Sequence, residues 1–156
     1  MKIILTQIGK TDDSYISEGI SIYEKRTNNY LPYEIKTIPA FKSNKSMDIN
    51  LIKIKEAELI LNTFNAGDII VLLDENGKEM NSQAFAAFIQ GNMINSVKTL
   101  KFVIGGPFGF SDLVRQKANH IISLSKMTFS HQLVRLVFAE QLYRAMTIIK
   151  GEKYHH

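Results

Sequence analysis

An α/β fold built on a parallel sheet is what the sequence predicts, from two observations. Four short runs, "IILTQI" from Ile3, "IIVLL" from Ile69, "KFVI" from Lys101 and "HIISL" from His120, are continuously apolar and rich in β-branched residues, the pattern of strands covered on both faces. Amphipathic helical stretches separate them, and an order of strand, helix, strand is what the crossovers of a parallel sheet require. "YEIKTI" from Tyr33 alternates more and is expected nearer an edge.

Helices and turns occupy the stretches between these runs. Tyr15, Ile16, Gly19, Ile20 and Tyr23 share one face of a first helix, with Asp12, Asp13 or Ser14 available as its cap. A second helix from about Asp48 carries Leu51, Ile52, Leu59, Ile60 and Phe64, and Asn65 to Gly67 punctuate its end. "DENG" at 74–77 is turn chemistry, succeeded by an Asn81 or Ser82 cap and the helix "QAFAAFIQGNMI". "FVIGGPFGF" ends a strand in paired glycines, with Ser111 or Asp112 capping the next helix. A last helix runs from Leu133 to about Ile149. The only polar, basic loop of any length is "PAFKSNKSM" at 39–47.

At 156 residues the chain reads as one domain, 1–156, able to bury about 70% of its unfolded surface. Hydrophobic residues make up 45% and charged residues 22%, as in soluble globular proteins, and no apolar run is long enough for a membrane span. The N-terminal stretch lacks a signal-peptide core, so a cytoplasmic location is expected. With no cysteine, disulfides, thiolate metal sites and a cysteine nucleophile are excluded. There is no GxSxG or HExxH, the four histidines lack zinc-site spacing, and no metal is expected. His120 reads as structural. A net charge of +4 suits a polyanionic partner, although many small domains are mildly basic.

The last helix is apolar nearly all round: Val134, Val137, Phe138, Leu142, Ala145, Ile148 and Ile149 share a broad face, while Leu133, Leu136, Ala139, Tyr143 and Met146 occupy much of the rest. A sheet covers one side only, so a homodimer packed through this helix is expected. Within it Glu140 and Arg144 are spaced for an i,i+4 pair, whereas Arg135, among apolar neighbours, calls for an anion or an interface partner.

In open α/β sheets, ligands bind outside the carboxyl ends of the strands. If strands three, four and five are neighbours, "VLLDENGK", "VIGGPFG" and "ISLSKMTF" meet there. The mixed loop "SLSKMTFSHQ" then forms one wall of a pocket, its backbone reading a purine edge and Leu73, Leu124, Met127 and Phe129 supplying apolar area. The glycine pair alone is weak: it is neither GxGxxG nor a P-loop, and a strand-to-helix turn would account for it.

"LDENGKEMNSQAFA", "FVIGGPFGF" and "SLSKMTFSHQLVRLVFAEQLYRAMTIIKGEKYH", with "IGK" and "YEKR" upstream, resemble over the whole chain the small bacterial methyltransferases of the SPOUT superfamily that methylate N3 of a pseudouridine in 23S ribosomal RNA. The resemblance implies a parallel-sheet SPOUT fold with a C-terminal trefoil knot, a homodimer, and S-adenosylmethionine bound by Leu73, Gly105, Leu124, Ser125, Lys126, Met127, Thr128 and Phe129. The aromatic and imidazole groups of the tail, just beyond the interface helix, lead to the further expectation that His155 and Tyr154 of one subunit complete the partner's cofactor pocket, with Arg144 gripping phosphate or the base, and these three are the expected catalytic residues. Arg135, His131, Lys42 and Lys45 are expected at the RNA, with Lys53 and Lys55 as further docking charges, and His131 doubles as an alternative base. Where the family has proline this chain has Ser130, able to cap the last helix, and His156 replaces a basic residue. A noncatalytic RNA- or nucleotide-binding module on the same fold is the competing reading. It has no need of the full "SLSKMTF" loop or the terminal "YH".

Overall fold

The computed structural model describes residues 1–41 and 47–154. Five strands, β1 (Lys2–Ile8), β2 (Tyr33–Ile38), β3 (Asp68–Glu79), β4 (Thr99–Ile104) and β5 (His120–Ser123), alternate with α1 (Ser14–Thr27), α2 (Ile49–Leu61), α3 (Ser82–Ile94), α4 (Asp112–Lys117) and α5 (Leu133–Lys150). The sheet order is β2-β1-β4-β3-β5 with every pairing parallel. The alternating run "YEIKTI" is therefore an edge strand, and strands three, four and five lie side by side, both as expected.

Two cores explain the continuous apolar runs. On one face, Ile3, Leu5, Leu100, Phe102 and Ile104 pack with Phe85 of α3 and Phe138 and Leu142 of α5. On the other, Ile8, Ile70, Leu72 and Val103 pack with Ala57 and Ile60 of α2 and Val114 of α4. Successive side chains on a strand point to opposite faces, so a strand buried on both sides must be apolar at every position. Lys101 breaks that rule and is buried: its ammonium stands 2.7 Å from the Asp68 carboxylate and donates to the Thr63 carbonyl. Burial works to raise the Asp68 carboxyl, but the hydrogen bonds from Lys101 and from the Asn65 backbone outweigh it and hold it below the usual range.

Helix ends obey the expected chemistry with one correction. Asp48 accepts from the Asn50 backbone N–H and Asn81 from that of Ala84, while the Ser111 hydroxyl accepts from that of Val114. Asp13 precedes α1 but makes no side-chain cap. The amide of Gln132 substitutes for it, its Oε1 accepting from the backbone N–H groups of Asp12 (2.8 Å) and Asp13 (3.2 Å). Ser130, in place of proline, accepts from the Leu133 N–H at 3.1 Å, as its hydroxyl allows.

α5 is wedged between α1 and α3 against the sheet. Gly19 permits the α1 contact, since a Cβ there would stand 2.8 Å from Leu136. The apolar circumference is thus partly covered within one chain by α1 and α3 as well as by the sheet. Leu133, Val137, Ile148 and Ile149 remain only half-buried.

β3 is longer than the apolar run that announced it. Leu73 and Lys78 both register against Ile122 of β5, so residues 74–77, read as a turn, form an arch that returns to the same strand. The turn chemistry is real: Asp74 Oδ1 accepts from the Asn76 N–H at 2.9 Å. Gly77 closes the arch against the backbone of β5, where a Cβ would lie 2.6 Å from the carbonyl carbon of Ile122.

Candidate functional site

A cleft of about 620 Å³ opens at the arch within β3 and the carboxyl ends of β4 and β5. One wall is Leu73 to Asn76, a second is Ile104 to Phe110, and a third runs from Ser123 through His131, closed by Val134 of α5. The second and third walls begin where β4 and β5 stop and the first at the arch that interrupts β3, positions at which a parallel sheet leaves backbone groups unpaired. Apolar side chains of Leu73, Ile104, Leu124, Phe129 and Val134 face backbone and hydroxyl groups there, a mixture suited to a flat amphipathic ligand. A Cβ on Gly105 would stand 3.2 Å from the Phe110 ring, so glycine keeps this wall open.

The long mixed loop holds itself in shape. The Ser123 hydroxyl donates to the Ser125 carbonyl at 2.8 Å, and the Met127 N–H donates to the Ser125 hydroxyl at 2.9 Å. Across the mouth, Thr128 Oγ1 donates to Glu75 Oε2 at 3.2 Å. Leu73, Gly105, Leu124, Ser125, Met127, Thr128 and Phe129 all line the cleft, and Met127 does so while 76% exposed. Lys126 is the exception: its side chain is 84% exposed and turns to Glu79, 3.5 Å away.

His131 lines the cleft beside the start of α5. Arg135 does not reach solvent at all, with 0% exposure, which corrects its expected place at the RNA. Its guanidinium donates to the Ile8 carbonyl at 2.6 Å and to the Thr11 hydroxyl at 2.9 Å, binding the end of β1 to α5. Burial lowers its pKa, with Asp12 opposing. Lys55 pairs with Glu58 at 3.1 Å on the surface, whereas Lys53 lines the cleft. Lys42, Lys45, His155 and His156 lie outside the described residues.

Arg144 and Tyr154 are gathered elsewhere. Arg144 donates twice to Glu140 Oε1, at 3.0 and 2.5 Å, so the i,i+4 pair forms. Its guanidinium lies 4.7 Å from the centre of the Tyr154 ring, and the Tyr154 hydroxyl donates to Glu140 at 3.2 Å. Tyr143 packs on Tyr154, Tyr23 and Tyr30. Hydrogen bonding with Tyr23, burial and the Glu140 charge raise the Tyr154 phenol, so at neutral pH it is a hydrogen-bond donor. Neither residue lines the cleft of its own chain.

Sequence reasoning missed three groups around the cleft. Arg115 and Asp74 form an ion pair of 2.7 Å in its wall, a pairing of distant positions that only the fold reveals. Glu56 stands behind the glycine turn: it is 5% exposed, its Oε2 has no partner among the described residues, and a Cβ on Gly106 would meet its carboxylate at 2.5 Å. Burial raises its pKa above the usual 4.5. The folded chain therefore keeps a proton that the unfolded chain releases, and stability falls as pH rises from about 4.5 through the raised value. Glu56→Gln removes that loss, so its melting temperature relative to the parent is expected to be higher at pH 8 than at pH 5. Equal differences at the two pH values would mean that Glu56 is not desolvated.

Among the described residues, no helix is long and apolar enough to cross a membrane, and no group of three His, Cys, Asp or Glu could hold a metal. The chain is similar over its full length to proteins named ribosomal RNA large subunit methyltransferase H. Identity is 53% to that of Christiangramia forsetii, 51% to that of Parabacteroides distasonis and 49% to that of Flavobacterium johnsoniae, in each case over 100% of this chain and 99% of the relative. Among solved structures, a probable methylase family protein from Haemophilus influenzae Rd KW20 superposes with a TM-score of 0.51 at 10% identity, over 97% of this chain and 67% of that one, a likeness of fold. A family model described as "Predicted SPOUT methyltransferase" matches residues 1–155. With the parallel sheet, the three-walled cleft and this match in agreement, the chain belongs to the SPOUT methyltransferase family.

Proposed function

We propose that this chain, as a single domain and a homodimer, transfers a methyl group from S-adenosylmethionine to N3 of a pseudouridine in 23S ribosomal RNA on assembled cytoplasmic ribosomes. The observation that carries the reading is the full-length likeness, at about half identity, to proteins named for methylation of large-subunit RNA. The cleft fits the cofactor: Leu73, Leu124, Phe129 and Val134 suit an adenosine ring, and backbone groups of Gly105 and the 124–129 loop suit its polar edge. A C-terminal trefoil knot is part of this reading.

When bound, S-adenosylmethionine supplies an electrophilic methyl group on a sulfonium with a neutral thioether as leaving group. The residues of the cleft exclude water and fix the line of attack, and much of the acceleration comes from that positioning. The N3 proton of the acceptor must leave, and the negative charge left behind must be held. In the dimer, the tail of one subunit reaches the partner's cleft. Arg144 there stabilises the developing anion, Tyr154 donates a hydrogen bond to the base, and His155 takes the proton, with His131 as the alternative acceptor. Lys42 and Lys45 dock ribosomal phosphates.

Thermal stabilisation separates this reading from a noncatalytic RNA-binding module. At S-adenosylmethionine concentrations one hundred times Kd, linkage stabilises the fold by about 2.7 kcal/mol, or roughly 5–10 °C in a chain of this length. No shift at millimolar cofactor would favour the RNA-binding module.

A further inference from the structure

We propose that Lys53, together with Arg115 as oriented by Asp74, forms an anion subsite in the cleft that receives the carboxylate at the amino-acid end of the cofactor. The inference rests on the cofactor reading above and names a part of it that the three strand-end walls leave unassigned. Those walls supply apolar area, hydroxyls and backbone groups, which serve an adenosine. The other end of the molecule is an amino acid, and its carboxylate, drawn out of water into a cleft, needs a cation.

Among the described residues, two lysine or arginine side chains line the cleft, Lys53 from α2 and Arg115 from α4. Arg115 is fixed: its Nη2 stands 2.7 Å from Asp74 Oδ2, with the Asp74 side chain only 6% exposed and that of Arg115 28%. A guanidinium held at one nitrogen still presents donors elsewhere on a rigid fork. Lys53 has no carboxylate within ion-pair distance among the described residues. Its neighbour Lys55 is occupied by Glu58. Among the described residues Lys53 is thus the uncommitted cation of the cleft, while Arg115 is held by its acid. On the acidic side, Glu75 lines the cleft and, among the described residues, accepts only from Thr128 Oγ1. A carboxylate anchored by Lys53 is then one half of the recognition of a zwitterionic end, and α2 becomes a fourth wall of the site.

The test compares S-adenosylmethionine with decarboxylated S-adenosylmethionine, which lacks only that carboxylate, in binding to the full-length protein by calorimetry without RNA. The parent is expected to prefer the carboxylated form by roughly tenfold or more, the factor carried by one charge-assisted hydrogen bond. Lys53→Met, which keeps the aliphatic stem, is expected to erase most of that preference while binding the decarboxylated form as the parent does. Arg115→Lys, which keeps the charge but loses the fork, is expected to reduce the preference less. Equal binding of the two ligands by the parent overturns the proposal. So does a Lys53→Met protein that keeps the full preference, including one that only raises KM for ribosomes, which would assign Lys53 to an RNA phosphate. If neither ligand binds the parent, it is the cofactor reading itself that has failed.

Discussion

Gly77→Ala is expected to cost the protein both stability and its cleft. The added Cβ would stand 2.6 to 2.7 Å from backbone atoms of Ile121 and Ile122, and backbone, unlike the end of a flexible side chain, cannot step aside. The arch at 74–77 must lift from β5, and it carries Asp74, the acid that holds Arg115, and Glu75, which holds Thr128. Overpacking of a close-packed interior costs about 1–3 kcal/mol, and the lost registration between β3 and β5 adds to it. Cofactor affinity is expected to fall at least tenfold by calorimetry. Gly91→Ala is the control: nothing lies within 4 Å of its Cβ position, and in the interior of α3 alanine is better than glycine by about 0.5–1 kcal/mol. The two substitutions should move the melting temperature in opposite directions. A Gly77→Ala protein as stable as the parent, with unchanged cofactor affinity, would show that the arch does not press on β5.

A pair of inactive variants is expected to recover activity when mixed. In one chain the cleft and the Arg144–Tyr154 cluster are separate, and no residue of the cluster lines the cleft. If the tail completes the partner's site, Thr128→Trp, which fills the cleft mouth, and Arg144→Ala, which removes the cation, each abolish both sites of a homodimer. Removing a group that stabilises developing charge costs about a hundredfold or more. After subunit exchange about half the dimers are mixed, and each mixed dimer retains one intact site, so roughly a quarter of parental activity returns. A mixture no more active than its parents would place both halves of the site in a single chain.

The sheet was legible in the sequence because its signals are local. Continuous apolar runs marked the strands buried on both faces, and the alternation of Tyr33–Ile38 marked one edge, while β5, the other edge, carried no such mark. The cleft was legible for the same reason, since a ligand crevice outside the carboxyl ends of parallel strands needs only the strand assignments. The features that escaped are non-local. Arg135 has an apolar neighbourhood in sequence whether it faces a partner or the interior, and only packing brings the Ile8 carbonyl and Thr11 to it. Gln132 capping α1 spans 120 residues of sequence, beyond any window in which a cap is sought. "DENG" does turn, but its return to β5 depends on the chain passing close at Ile122. Glu56 stands four residues from both Ile52 and Ile60 on the apolar face of α2, and Lys101 opens a run that reads as buried on both faces, so each is a charge placed where the pattern asks for an apolar side chain.

Methyl transfer to ribosomal RNA is measured by incubating the protein with methyl-labelled S-adenosylmethionine and whole ribosomes from cells lacking it, then locating the modified nucleotide by mass spectrometry. One methyl group on N3 of a 23S pseudouridine is the expected result, with none added to ribosomes from cells that contain the protein. Clear cofactor binding without incorporation into 23S RNA would contradict the proposed acceptor, while leaving the family and the cleft as described.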